Sequence, residues 1–408
     1  MAEKLPEWIV CQIGAREHYG IARALRRAGC LSGVLTDFWL PPGSMVGSMP
    51  GAARLRDRYH RDLDASKVYA PNLRMLGFEG VLRIRSLSGW DGIIKRNHLF
   101  QQEALKRLRK WRAPMSGGQT PTLFSYSYAA LELFREVKDW GWRTVLGQID
   151  PGPGEDAIVQ NLRAAHPEWA EGIEHSPPES YWQDWREECG LADRIMVNSE
   201  WSRKLLVAEG IDREKLEVLP LAYDVGRASN CGSHPTFQKK SQLRVLFLGQ
   251  AIVRKGIQDL VAAARLLTEA PIQIDIVGPH GVLPSGLPSN LVFHGAVPRS
   301  EAAQWYQQSD LFVLPTHSDG FALTQLEAMA QGVPVIATPC CGDVVVEGVN
   351  GWVVPAGNAQ VLAERLRQIA QSPDMLESMR KAAMATAEGF GLERVAQALT
   401  QVGTEVVI

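Results

Sequence analysis

No run in this chain approaches the roughly 18 consecutive apolar residues needed to span a bilayer, so no transmembrane helix is expected. The opening Met1-Ala2-Glu3-Lys4-Leu5-Pro6 lacks the charged and apolar regions of a secretory signal. A cytoplasmic protein is the expectation, at most at the cytoplasmic face of a membrane. Charge of one sign is also missing. The formal net charge is −2, and no global field argues for nucleic acid as a partner. The six cysteines (11, 30, 189, 231, 340 and 341) form no Cys-x-x-Cys pair and no metal-ligand spacing, which points to reduced thiols. Adjacent Cys340 and Cys341 read as small buried residues beside a turn. There is no Gly-x-Gly-x-x-Gly, so a dinucleotide site is not expected. No Asp-x-Asp triplet is read as a divalent-cation site, and neither a metal nor a cofactor is expected.

What the chain does contain is alternation. At 408 residues with 45% apolar side chains it is too long for one ordinary core and suggests two domains. Apolar strand-like runs at residues 7–13, 31–36, 122–125, 144–148, 192–199 and 215–220 are separated by helical stretches. A polar segment, 224–242, with Gly226, Asn230, Gly232 and Pro235, reads as a linker. Strands at 243–249, 272–277 and 291–294 follow, with a helix over 257–267. Such alternation implies parallel βαβ units on both sides of the linker. The expected division is 1–223, a linker over 224–242, 243–390, and a final helix within 391–408.

The most informative stretch is Ser318-Asp319-Gly320-Phe321-Ala322-Leu323-Thr324-Gln325-Leu326-Glu327-Ala328-Met329-Ala330. It lies between the apolar runs 310–315 and 332–338, so a turn at a strand's carboxyl end leads into a helix N-terminus. Open α/β sheets bind ligands there, and free N–H groups attract phosphate. Glu327 follows Asp319 by eight residues, about two turns, and can face the same crevice. As a lone pair, Asp319 reads equally as an N-cap and Glu327 as a surface charge. The whole segment, however, resembles the signature of retaining nucleotide-sugar glycosyltransferases of family four. The blocks Leu191–Ser202, Glu214–Pro220, His294–Pro298 and Gly348–Pro355 resemble further blocks of that family in the same order.

The resemblance implies a GT-B fold, two Rossmann-like doubly wound parallel-sheet domains facing across a cleft. It implies that Asp319 holds donor-sugar hydroxyls, that N–H groups of Gly320, Phe321, Ala322 and Leu323 hold the diphosphate, and that Glu327 binds ribose. Asp319 stands where that family usually has Glu, and Ala322 where a second Gly is common.

A strand ends at Gly249 and a helix begins near Gly256, so Arg254 and Lys255 project near a strand end. Both can neutralise a diphosphate. The resemblance makes Lys255 the donor-phosphate lysine, with Arg254 supplying the charge that Gln250 lacks. The loop Gly14-Ala15-Arg16-Glu17-His18-Tyr19-Gly20 follows the first strand, and Gly14 and His18 are expected to line the cleft. Phe124–Tyr128 holds no His where the family often has one. Asp150, His98 and His175 read as structural or acceptor-side. Between Arg83 and Arg112 there are nine Lys or Arg against Asp91 and Glu103, and the helix-like 99–111 is basic and amphipathic. That is compatible with an anionic membrane surface and equally with a solvated face packed on the sheet.

The expected activity is retaining, metal-independent transfer of a sugar from a nucleotide-diphosphate sugar to a glycan, lipid-linked or small-molecule acceptor. The alternatives are a catalytically silent sugar-nucleotide-binding partner or a GT-B sugar-nucleotide epimerase.

Overall fold

The computed structural model describes residues 6–44, 47, 55, 58–112, 120–169, 176–224 and 242–404. The expected linker, apart from its two ends, and His175 lie outside them.

Two parallel sheets form. The first begins with β1 (Trp8–Gln12), α1 (Gly20–Arg27), β2 (Leu31–Thr36) and β3 (Val68–Tyr69). Two helices follow, α2 (Asn72–Ile84) and α3 (Gly89–Arg112), before β4 (Thr122–Tyr126). Then come α4 (Leu131–Asp139), β5 (Arg143–Gly147), α5 (Pro153–Ala165) and α6 (Glu179–Leu191). The sheet closes with β6 (Arg194–Val197), α7 (Glu200–Ala208) and β7 (Leu216–Val218). Its strand order is β3-β2-β1-β4-β5-β6-β7. All five residues of β1 and of β4 are buried, as strands covered by helices on both faces must be.

The second sheet has β8 (Leu243–Leu248), α8 (Ile257–Arg265), β9 (Ile272–Val277) and β10 (Leu291–Gly295). It continues through α9 (Ala302–Gln308), β11 (Leu311–Leu314), α10 (Leu323–Ala330), β12 (Val335–Ala337) and β13 (Gly351–Val353). The order is β10-β9-β8-β11-β12-β13. The chain ends its described part with α11 (Ala359–Gln371), α12 (Met375–Glu388) and α13 (Leu392–Thr404). Helix α13 returns to the first sheet, where Leu392, Val395, Leu399 and Val402 join Trp8, Ile21 and Leu25 in one core cluster.

In each sheet the strand order reverses once, between β1 and β4 and between β8 and β11. The loops leaving those strands splay apart and open a crevice. Residues 14–19, 249–256 and 315–322 are such loops.

Helix α3 departs from the sequence expectation. It starts ten residues earlier than the amphipathic stretch suggested, and its apolar side faces the core. Phe100, Ala104, Leu108 and Trp111 are buried, and Gly33 on β2 leaves the room Trp111 needs. A Cβ at Gly33 would lie 2.5 Å from the Trp111 ring. Several of its cations are paired, Arg96 with Glu79, Lys106 with Glu103 and Arg109 with Glu136. Among the described residues no helix is long and apolar enough to cross a membrane.

Candidate active site at the switch point of the second sheet

Between β8 and α8, a 3-10 turn over Val253–Lys255 ends at Gly256, whose φ is 76°. A Cβ on Gly256 would sit 1.9 Å from the Pro315 carbonyl oxygen, so only glycine lets this loop touch the end of β11. The contact is then tied by the Arg254 carbonyl, which accepts from His317 N and Thr316 Oγ1, both at 2.9 Å. Arg254 and Lys255 are thereby carried to the turn 315–322.

Lys255 Nζ bonds directly to Asp319. Arg254 donates from Nη1 to the Ser318 carbonyl at 2.9 Å and stands 4.0 Å from Asp319. Asp319 is therefore not the N-cap of α10. That position belongs to Ala322, and no side chain caps the helix. Its first N–H groups thus lack a side-chain acceptor, the condition under which a helix end draws an anion. Ala322 departs from the expectation, because its N–H donates to the Cys341 carbonyl at 3.2 Å. The Asp319 N–H likewise goes to Cys340 at 2.8 Å. Phe321 is buried against Gly342, where a Cβ would approach its ring to 2.7 Å. That leaves Gly320, which is buried, and Leu323, which is half-buried, as the remaining members of the expected N–H set, with Phe321 anchoring the turn.

Glu327 does not share Asp319's surroundings. Its Oε2 accepts from Tyr306 Oη at 3.0 Å, and its Oε1 lies 3.7 Å from Arg299. It lines an open pocket with Gly249, Gln250, Gly278, Val297 and Tyr223. Gly249 and Gly278 pass so closely that a Cβ on Gly278 would meet the Gly249 oxygen at 1.9 Å. An adjoining crevice is bounded by Glu327, Arg299 and Leu323 from the second sheet and by Glu17 and His18 from the first. His18 is thus at the cleft. Gly14 is instead held away from that crevice: its N–H donates to Asp37 Oδ1 at 2.8 Å, beside Arg58.

Two carboxyls were not singled out by sequence reasoning. Glu17 accepts from Tyr126 Oη at 3.0 Å, and burial pushes its pKa up to about 7. Glu155, on the first turn of α5, accepts from Ser318 Oγ at 2.7 Å and is likewise pushed up to about 7 by burial. The available signal was the Pro151-Gly152-Pro153-Gly154 turn that puts Glu155 at a helix start. Asp150 accepts from Tyr128 Oη at 2.6 Å and Gly152 N at 2.8 Å, and His98 pairs with Glu132. Cys340 and Cys341 are both buried. Asp62-Leu63-Asp64 does have the Asp-x-Asp spacing that the sequence reading passed over. Its acids are engaged elsewhere, Asp62 by Arg23 and Asp64 by Tyr59. Among the described residues no group of three or more His, Cys, Asp or Glu is gathered as a metal site.

Residues 242–372 match the family described as glycosyl transferases group 1. The chain carries that domain. A D-inositol 3-phosphate glycosyltransferase of Kribbella flavida is 31% identical over 232 residues, covering 50% of this chain and 55% of that protein. The chain thus spans about half the length of the curated relatives it matches. Solved structures align over nearly all of it. Sucrose-phosphate synthase from Thermosynechococcus elongatus covers 97% of this chain and 98% of its own at 17% identity, with a TM-score of 0.61. The Anabaena protein HepE in complex with UDP and glucose covers 97% and 98% at 14% identity, with a TM-score of 0.60. The two-sheet fold is GT-B.

Lys255, Arg254, Gly249, Asp319–Leu323 and Glu327 all lie within the glycosyl transferases group 1 domain. Glu17 and His18 reach the same cleft region from the other sheet, and Glu155 meets Ser318 from there.

Proposed function

We propose that this chain is a glycosyltransferase that moves a sugar from a nucleoside-diphosphate sugar to an acceptor held by the first sheet's side of the cleft. The observation that carries this is the convergence of Lys255, Arg254 and the uncapped start of α10 at the switch point between β8 and β11. A leaving diphosphate needs its charge met where it develops, by groups fixed beforehand. Cations and N–H groups supply that without a metal.

In this reading the bond between the anomeric carbon and the phosphate oxygen breaks, and the diphosphate leaves with the electron pair. The acceptor hydroxyl forms the new bond on the same face, so configuration is retained, and its proton passes to the departing phosphate. Lys255 and Arg254 hold the phosphates, and Gly320 and Leu323 add N–H donors. Asp319, moved off Lys255 by the incoming phosphate, takes sugar hydroxyls. Glu327, already oriented by Tyr306, takes the ribose. The UDP and glucose bound by HepE support a nucleotide sugar as donor. The acceptor is a glycan, a lipid-linked molecule or a small molecule, and His18 faces it. A cytoplasmic location and a peripheral contact with anionic lipid belong to this reading. The contact surface is assigned to α2, whose Leu73 and Ile84 are 75% and 85% exposed, beside Arg74, Arg83 and Arg85.

One observation favours a second reading, a silent sugar-nucleotide-binding partner: Lys255 is neutralised by its bond to Asp319. Thermal-shift measurements with UDP, GDP, ADP, TDP and CMP sugars test the proposal. One of them is expected to raise the melting temperature of the wild type and not of Lys255→Ala, since a ligand that binds only the native state stabilises it by mass action. Transfer or slow hydrolysis of that sugar nucleotide separates an enzyme from a silent binder. No shift with any of the five overturns the donor assignment.

A further inference from the structure

The cations of the phosphate-binding turn each face a carboxylate, and one of those carboxylates belongs to the opposite half of the molecule. Glu155 Oε2 lies 3.6 Å from Arg254 Nη1 and accepts from Ser318 Oγ at 2.7 Å. Ser318 is fully buried, and its Oγ also accepts from Trp201 Nε1 on α7 at 3.0 Å. Two residues along the turn, a Cβ on Gly320 would come within 2.7 Å of Asn198 Nδ2 and 3.1 Å of the Ile149 oxygen. Glu155 lies at the start of α5, and Asn198 and Trp201 at the junction of β6 and α7, two separate segments of the first half. Together they grip Ser318-Asp319-Gly320 from across the cleft.

That grip occupies charge a diphosphate needs. Arg254 is already shared among the Ser318 carbonyl, Glu155 and Asp319, and Lys255 is bonded to Asp319. An incoming diphosphate would bring its oxygens against both carboxylates, and like charges a few ångströms apart repel. Asp319 can swing to the sugar. Glu155 sits on a helix of the other half and has no such alternative.

We propose that Glu155 is a positioning residue that fastens the phosphate-binding turn to the first half and gives up Arg254 when a diphosphate arrives. Its second part rests on the donor reading above, and its first part does not. Burial pushes Glu155 up to about 7, which makes its ionised form an easily displaced partner near neutral pH. The charged and titratable groups facing it are Arg254, Asp319 and Asp150.

Glu155→Gln keeps an oxygen for Ser318 and removes the charge. Calorimetry with UDP, GDP and ADP is the test. The diphosphate that binds the wild type is expected to bind the Gln variant about three- to tenfold more tightly, as for the loss of one competing charge. Equal or weaker binding overturns the competition. Small-angle scattering without nucleotide tests the fastening separately: Glu155→Ala and Ser318→Ala are each expected to raise the radius of gyration. An unchanged radius in both overturns it. If none of the three diphosphates binds the wild type, the donor reading fails, and with it the competition, while scattering still decides the fastening.

Discussion

Glu17, His18 and Tyr19 hold φ angles of 49°, 51° and 62°, three successive left-handed residues that all carry a Cβ. Each such residue costs about 1–2 kcal/mol relative to right-handed backbone. Tyr19 recovers part of this by full burial, edge-on to Trp39. Glu17 gains a place under Tyr126, at the floor of the crevice. Because burial raises its folded pKa to about 7, above the ordinary value of about 4.3, the protonated form is the one that folding favours. That contribution is complete below about pH 4.3 and is lost as the pH rises through about 7. Wild type is therefore expected to lose thermal stability relative to Glu17→Gln between about pH 4.5 and 7.5. A difference in melting temperature that stays constant across that range would show Glu17 ionised throughout.

At the scale of elements, α13 makes the clearest prediction. Leu399 is fully buried in the cluster with Trp8 and Leu25, so Leu399→Ala is expected to cost about 2–5 kcal/mol in denaturant unfolding. A loss within experimental error of zero would mean that α13 does not seal this core. Strands with unbroken apolar runs were legible: β2 and β9 have the ends that their sequence suggests. The turn over 315–322 and the start of α10 were legible too, because they are contiguous, but the separate surroundings of Asp319 and Glu327 were not. Helix α5 was not. None of its residues is fully buried, so it shows no apolar stripe, and the Pro-Gly-Pro-Gly around its start reads only as a turn. Helix α2 hides for the opposite reason, with Leu73, Val81 and Ile84 turned outward instead of inward. The partnership of Glu155 with Ser318 joins residues 163 apart, and no local pattern announces it.

For the whole molecule, the exposed α2 residues set a testable limit on where it can dock. Wild type is expected to co-sediment with vesicles containing phosphatidylserine, and Leu73→Asp with Ile84→Asp to lose most of that binding. Binding that survives both substitutions would move the contact elsewhere, and no binding by wild type would remove lipid from the list of partners. The two halves are also joined beside the start of α13. Tyr223 N donates to the Phe390 carbonyl at 2.8 Å, and Arg394 to the Pro220 carbonyl at 2.9 Å. The return of α13 to the first sheet has a consequence for synthesis. The ribosome makes β1 and α1 first, yet one wall of their core is supplied by residues 392–404. Until the second sheet has been translated, Trp8, Ile21 and Leu25 have no lid, and the first half waits on the nascent chain with an apolar seam open to chaperones. The core of the half made first is thus closed only once the last helix has emerged.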